Sequence, residues 1–570
     1  MSIKENNTSI WVVSREYAGF AEAGGVKNVV KSLAEAAADS GFAVTVFLPH
    51  YGNNSEVLDN CTGEVNIRVG DTSHLVRYFE LFRKNIRFIF IDSGIFTEKK
   101  DIYTYCTEEL DYFREKLHRP DLKKGDGYVD SHEMNVLFQK AIYCYGLRHH
   151  IAPQVLHCHD AHTALLPAFI FARCTGRRLF RHTRALITIH NAGDGYRQTF
   201  YSFEYAAHLT DLPRRVLEYG KVDYTVEPFL VGSAFADLTT VSPWYAKQLI
   251  SPEHSPYSYL FSKSLAERHI HITGITNGID FTAYNPCNTE CSGLPFAFDV
   301  QKEQFEGKYA CRSFLLDKLQ TQTCTAPLYD GIQQYGSIDR QEKNKTLYLM
   351  YHGRLVRQKG VDVLLKAIPL ILEHSPSLRF IVMGQGDPEL EAEAIALAAA
   401  LPGKFVYCKG YNRKAARLIT AAADFIVLPS LFEPCGLEDL IAQVYGTIPI
   451  ANAQGGLQKI IDGKTGFLYK LPDGEEQNTD IHIKILTEAI LKQAEHFFTS
   501  DKTKLIDIPY FKNKISLIEI GDAIKEIGYN RIRYTNLLEE KSYIFNFLES
   551  DELKYEYLGE YRENKSLEII

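Results

Sequence analysis

Short apolar runs that stop at polar residues and lead, in several places through glycine, into a segment of helical spacing recur along both halves of this chain and constrain its fold most tightly. SIWVVS (9–14) reads as a buried strand, Gly24-Gly25 open a turn, and Val26, Val29, Val30, Leu33 and Ala37 follow at helical spacing. Gly41 closes that segment and FAVTVFLP (42–49) starts another strand, which makes a strand, turn, helix, strand unit of the parallel kind. VLHCHDAHTALLPAFI (155–170), RALITIHN (184–191) and ADLTTVSP (236–243) extend the series, with polar residues where a parallel sheet presents its ligand edge. The rhythm pauses in a polar stretch after GITNGIDFTAYNP (274–286) and resumes at Thr346 with TLYLMYHGRL, VDVLLKAIPLILE, RFIVMGQGD, KFVYCKG, DFIVLPS, EDLIAQVYG and IPIANAQGG.

The expected fold class is therefore α/β, with two Rossmann-like doubly wound domains facing a central cleft, where ligands of such sheets collect. A chain of 570 residues exceeds what one hydrophobic core fills, and the pause puts the domain change near residue 275. The domains run 1–275 and 276–505; a divergent tail, 506–570, carries helical stretches without a βαβ pattern. A formal charge of −8 argues against a nucleic-acid or acidic-membrane partner, while a local basic cluster can still hold a small anion. No leader pattern and no apolar run long enough to span a bilayer is visible, so a cytoplasmic protein is expected. The 11 cysteines lack CxxC pairs or metal-ligand spacing and read as reduced thiols.

Candidate chemistry collects at the strand ends. Arg354 and Lys359, in HGRLVRQKG, stand on a turn entering a helix, where a guanidinium fork and a compact ammonium can face one diphosphate. Glu433, in SLFEPCGLEDL, precedes another helix, so a carboxylate and the N–H groups of Cys435, Gly436 and Leu437 converge. Gly24-Gly25 and Gly455-Gly456 each separate a strand from a helix, where the missing side chains let backbone N–H groups approach phosphate. HCHDAH (157–162) has no second ligand cluster to complete a metal site, so His162 reads as a sugar-lining group rather than a zinc ligand. Taken singly, each feature has a plainer explanation: a solvated strand-end pair, a helix-dipole partner, tightly packed glycines.

Taken in order, EAGGVKNVV (22–30), HCHDAHTALLPAF (157–169), TIHN (188–191), TTVSPWYA (239–246), GITNGID (274–280), GRLVRQKG (353–360), GQGDP (384–388), FEPCGL (432–437) and GGL (455–457) resemble the bacterial glycogen synthase and plant starch synthase family, of GT-B fold. The resemblance implies transfer of glucose from ADP-glucose to the non-reducing end of an α-1,4-glucan, with retention of configuration and no metal or other cofactor. It makes 1–275 the acceptor-side domain and 276–505 the nucleotide-sugar domain. Arg354 and Lys359 would hold the diphosphate and Glu433 would sit by the donor glucose. The 435–437 backbone would bind its hydroxyls, His162 and Asn191 would line the sugar from the other domain, and Tyr411, in KGYN, would stack on adenine. An oxocarbenium-like transition state needs nearby negative charge and its leaving diphosphate positive charge, which Glu433 and the Arg354/Lys359 pair supply.

The match departs at the first loop. The family carries Lys-x-Gly-Gly where this chain has Glu22-Ala23-Gly24-Gly25, and Asn28 replaces a common Asp; Lys27 is a nearby cation that stands in as a further donor contact. The substitution opens two alternatives: a UDP-glucose-dependent transferase of the same fold, and a catalytically silent glucan-binding or regulatory homologue.

Overall fold

The structure, a computed structural model, describes residues 8–54, 59–193, 195–254, 258–320, 328–340, 346–476 and 478–499. The expected tail, 506–570, lies outside the described residues. The described chain divides into two compact units, one ending at Ile275 and the other beginning at Thr276. The fold is α/β, and each unit is built on its own predominantly parallel sheet.

The first sheet holds β1 (Ser9–Val13), β2 (Ala43–Pro49), β3 (Cys61–Val69), β4 (Thr72–Arg83), β5 (Ile86–Asp92), β6 (Val155–His159) and β7 (Arg184–Ile189). A small hairpin, β8 (Lys221–Val222) and β9 (Thr225–Val226), stands apart, and β10 (Asp237–Thr240) and β11 (Ile272–Gly274) complete the sheet. Its order is β11-β10-β7-β6-β1-β2-β5-β4-β3. Neighbours pair in parallel except at β5-β4-β3, where the edge turns antiparallel. The central strands are covered on both faces, which is why VLHCH of β6 is buried at every position, whereas β3 alternates with exposed residues. Val30, Ala34 and Ala37 of the helix Val26–Asp39 pack on Val12, Val44 and Val46 in one apolar cluster.

The second sheet holds β12 (Gln333–Gly336), β13 (Leu347–His352), β14 (Leu378–Gly384), β15 (Phe405–Lys409), β16 (Phe425–Leu428), β17 (Ile448–Asn452) and β18 (Phe467–Tyr469). Its order is β12-β15-β14-β13-β16-β17-β18, with only β12 antiparallel to its neighbour. β13 pairs with both β14 and β16, so the chain reverses direction across the sheet at β13, where an open α/β sheet offers its ligand crevice. Asp387 and Asn412 cap the helices Pro388–Ala400 and Arg413–Ala422 by accepting N–H bonds in the first turn.

The polar pause in the sequence conceals structure. It contains the helix Glu306–Leu319, which turns two basic residues into the core. Lys308 Nζ donates to the carbonyls of Ala421 (2.9 Å), Ala423 (2.8 Å) and Tyr445 (3.0 Å) and to Thr447 Oγ1 (2.9 Å). Arg312 pairs with the buried Asp424 at 2.5 Å. Buried cations held by carbonyls, a hydroxyl and a carboxylate break the apolar periodicity that marks the other helices. Among the described residues, no helix is long and apolar enough to cross a membrane.

Candidate active site

β13 and β16 are adjacent, and the turns that leave their carboxyl ends carry the charged candidates of the second unit. Gly360 makes the close approach possible: it sits at φ 67°, and a Cβ there would lie 2.1 Å from the Pro429 carbonyl. Lys359 thereby reaches the next loop, where its Nζ donates to Glu433 Oε2 at 2.6 Å. Ser430 Oγ donates to the same oxygen at 3.3 Å. Arg354 is exposed, its carbonyl accepts from Tyr351 Oη at 2.8 Å, and among the described residues its guanidinium has no ion-pair partner. A paired Lys–Glu and an unengaged guanidinium on adjacent turns supply both signs of charge at one sheet edge.

The loop after β16 adds donors. No described acceptor takes the N–H of Cys435, Gly436 or Leu437. The Cys435 thiol is buried, and burial pushes it up to about 11, so this residue offers its backbone rather than a nucleophile. Gly456 packs its α-carbon against the same loop, since a Cβ there would stand 2.1 Å from the Cys435 carbonyl. The Gly456 N–H donates to the Glu433 carbonyl at 2.7 Å, while that of Gly455 meets no described acceptor. Tyr411 lies in the turn between β15 and the helix Arg413–Ala422 with 67% of its surface exposed, free to receive a flat ring.

In the first unit the Gly24 turn closes on a buried carboxylate that sequence reasoning missed. Glu16, just beyond β1, accepts from the N–H groups of Gly24 (2.6 Å) and Ala23 (3.3 Å) and from Tyr103 Oη (2.9 Å). Burial raises its pKa against the lowering effect of those bonds. The expectation that both glycine pairs offer free N–H groups to phosphate is thus corrected: Gly24 is engaged by Glu16 and Gly456 by Glu433, because each turn first satisfies its own buried acceptor. The N–H of Gly25 meets no described acceptor. Glu22 accepts from the Gly19 N–H at 2.8 Å and pairs with Lys27 at 3.2 Å, so this anion ties up the cation expected to stand in at the first loop.

His162 is buried with its ring centroid 4.8 Å from that of Tyr103, and burial together with Arg15 keeps it neutral, well below the usual histidine range. His157 and His159 of the same motif are packing groups. His157 Nε2 meets Thr188 Oγ1 at 2.7 Å and His159 Nδ1 meets His190 Nε2 at 3.0 Å, in surroundings whose burial depresses all three imidazoles. Asp160, pushed up to about 7 by burial, accepts the His190 N–H at 2.8 Å and braces the turn before Asn191. Asn191 is half-buried and accepts the Gly193 N–H at 2.8 Å. Among the described residues no group of three His, Cys, Asp or Glu side chains is arranged to hold a metal ion.

Comparison with known proteins gives the family. Residues 9–260 match the starch synthase catalytic domain and residues 337–497 match glycosyl transferases group 1. The glycogen synthase of Thermodesulfovibrio yellowstonii is 30% identical over 466 residues, covering 80% of this chain and 86% of that protein. The chain belongs to the glycogen and starch synthase family. The glycogen synthase of Aeromonas hydrophila is 28% identical over 488 residues, covering 82% of this chain and 88% of its own length. Granule-bound starch synthase 1 of Arabidopsis thaliana is 28% identical over 495 residues, covering 81% and 72%. The solved catalytic domain of starch synthase IV from Arabidopsis thaliana, bound to ADP and acarbose, superposes with a TM-score of 0.70 at 21% identity over 93% of this chain and 99% of that one. It shares the GT-B fold of the family. Family membership makes the chain a glycosyltransferase by descent.

Proposed function

We propose that this glycogen synthase homologue transfers glucose from ADP-glucose to the non-reducing end of an α-1,4-glucan with retention of anomeric configuration. One observation carries the reading: Lys359 and Glu433 meet at 2.6 Å beside a loop whose three successive N–H groups, 435–437, have no described acceptor. A leaving diphosphate needs cations and N–H donors, and a cationic sugar needs a carboxylate.

In this reading Arg354 and Lys359 take the diphosphate, Glu433 stands by the glucosyl group, and the N–H groups of Cys435, Gly436 and Leu437 bind its oxygens. Gly25 and Gly455 contribute free amides, and Gly24 and Gly456 shape their turns through Glu16 and the Glu433 carbonyl. Tyr411 stacks on the adenine; His162 and Asn191 contact the sugar. Lys27 is held by Glu22 and acts on the donor only if that pair opens. The ADP found on the starch synthase IV domain supports adenine as the base. Neutral His162 suits hydrogen bonding to a hydroxyl better than pairing with phosphate.

The test is parallel incubation of the protein with glycogen and labelled ADP-glucose or UDP-glucose, with EDTA present and Glu433→Ala as control. Glu433-dependent incorporation from ADP-glucose is expected. Incorporation from UDP-glucose alone would replace the donor. Glycogen binding without incorporation from either sugar would favour the silent homologue that the Glu22 substitution suggests.

A further inference from the structure

One lysine outside the charged pair underlies the loop. Lys459 is 3% exposed, and its Nζ donates to the carbonyls of Cys435 (2.7 Å), Gly436 (2.9 Å) and Gly456 (3.0 Å). An ammonium has three hydrogens, and the three carbonyls use them all. Asp439 Oδ1 lies 2.9 Å away, and this wholly buried carboxylate offsets the charge. A buried ion pair is weak evidence of stabilisation, because apolar residues of equal volume often serve as well or better. Its geometry has another consequence.

In a planar trans peptide the C=O and the following N–H point in opposite directions. Holding the Cys435 carbonyl therefore aims the Gly436 N–H away from Lys459, and holding the Gly436 carbonyl does the same for the Leu437 N–H. Neither N–H has a described acceptor. The third bond, to Gly456, ties the turn after β17 to the same ammonium. We propose that Lys459, neutralised by Asp439, is a positioning residue that presets the Gly436 and Leu437 N–H groups toward the nucleotide sugar. The inference rests on the reading that this loop receives the donor, and it adds a residue that touches no reacting atom.

The experiment compares wild type with Lys459→Met/Asp439→Asn, which removes the clamp and leaves no buried charge, and with Lys459→Gln/Asp439→Asn, which restores an N–H donor. In the methionine pair, kcat/KM for ADP-glucose should fall about ten-fold or more and the ADP dissociation constant, by calorimetry, should rise about five-fold, while the KM for glycogen stays within about two-fold. The glutamine pair should recover part of the loss, and it carries the test if the methionine pair does not fold. Folded variants with wild-type donor kinetics and ADP affinity, even at a lowered melting temperature, would confine Lys459 to holding the fold and overturn the inference. A wild type that neither binds ADP nor uses either nucleotide sugar would remove the donor reading itself, a result visible before any variant is compared.

Discussion

Replacing Lys359 with methionine removes the ammonium 2.6 Å from Glu433 Oε2 and leaves that carboxylate with Ser430 Oγ at 3.3 Å. Two losses follow for a bound diphosphate donor. A charge-assisted hydrogen bond to phosphate is worth about 1.5–3 kcal/mol. The unneutralised carboxylate also repels the leaving group: the side chains are only 24% and 15% exposed, so an effective dielectric near that of a protein surface rather than bulk water applies. At a separation of about 6 Å that repulsion is about 3 kcal/mol per unit charge. The sum, about 4–6 kcal/mol, predicts a fall in kcat/KM for ADP-glucose of about 10³–10⁴. Glu433→Gln removes a carboxylate proposed to stabilise the glucosyl cation and is damaging in its own right, yet in the double variant it also abolishes the repulsion. The double variant should therefore lose about 2–3 kcal/mol less than the sum of the two singles. Initial rates of label incorporation into glycogen at subsaturating donor measure all four corners of the cycle. Losses that add within about 0.5 kcal/mol would refute the coupling, and a Lys359→Met enzyme within a few-fold of wild type would refute the phosphate role.

Three further outcomes are expected. Glu227, 3.6 Å from Arg197 and 2.9 Å from Thr199 Oγ1, is pushed up to about 7 by burial, above its ordinary 4.5. The native state thus holds its proton longer than the unfolded chain and stability falls as pH rises from about 4.5 to about 7, so urea titrations at pH 5 and 7.5 should show Glu227→Gln losing about 2 kcal/mol less than wild type. Lys308→Met strips the donor from three carbonyls and a hydroxyl and should lower unfolding free energy by about 2–5 kcal/mol, read as a shifted urea midpoint at constant slope. Tyr411→Ala should raise the KM for ADP-glucose about ten-fold with little change in kcat, since one ring stack on a base is worth about 1–3 kcal/mol.

The parallel core was legible because both faces of its strands are covered, so β1, β2, β7 and β13 to β17 are short, mostly apolar runs, and β6 joins them with two buried histidines among its apolar residues. The antiparallel edge of β3 and β4 was not, since one-sided strands there mix Glu64, Asn66 and Arg68 into the pattern. Lys359 and Glu433 were each visible in a motif, but their meeting depends on β13 lying beside β16, a crossover no local pattern encodes. Glu16 escaped notice because its significance lies in the N–H groups of Ala23 and Gly24, which it accepts. Lys459 reads as a surface lysine after a glycine turn, and only its three carbonyl partners mark it as buried. Gly24 and Gly456 show the converse: a glycine pair at a helix start advertises free amides, while the fold had already used one of each pair.

The most direct test of the account follows the linkage of transferred glucose. Glycogen extended from carbon-13-labelled ADP-glucose should, by NMR, carry the label as α-1,4-linked units added at non-reducing ends, with Glu433→Ala giving none. Absence of labelled polymer from a folded wild type that binds ADP, or label in a β linkage, would contradict it.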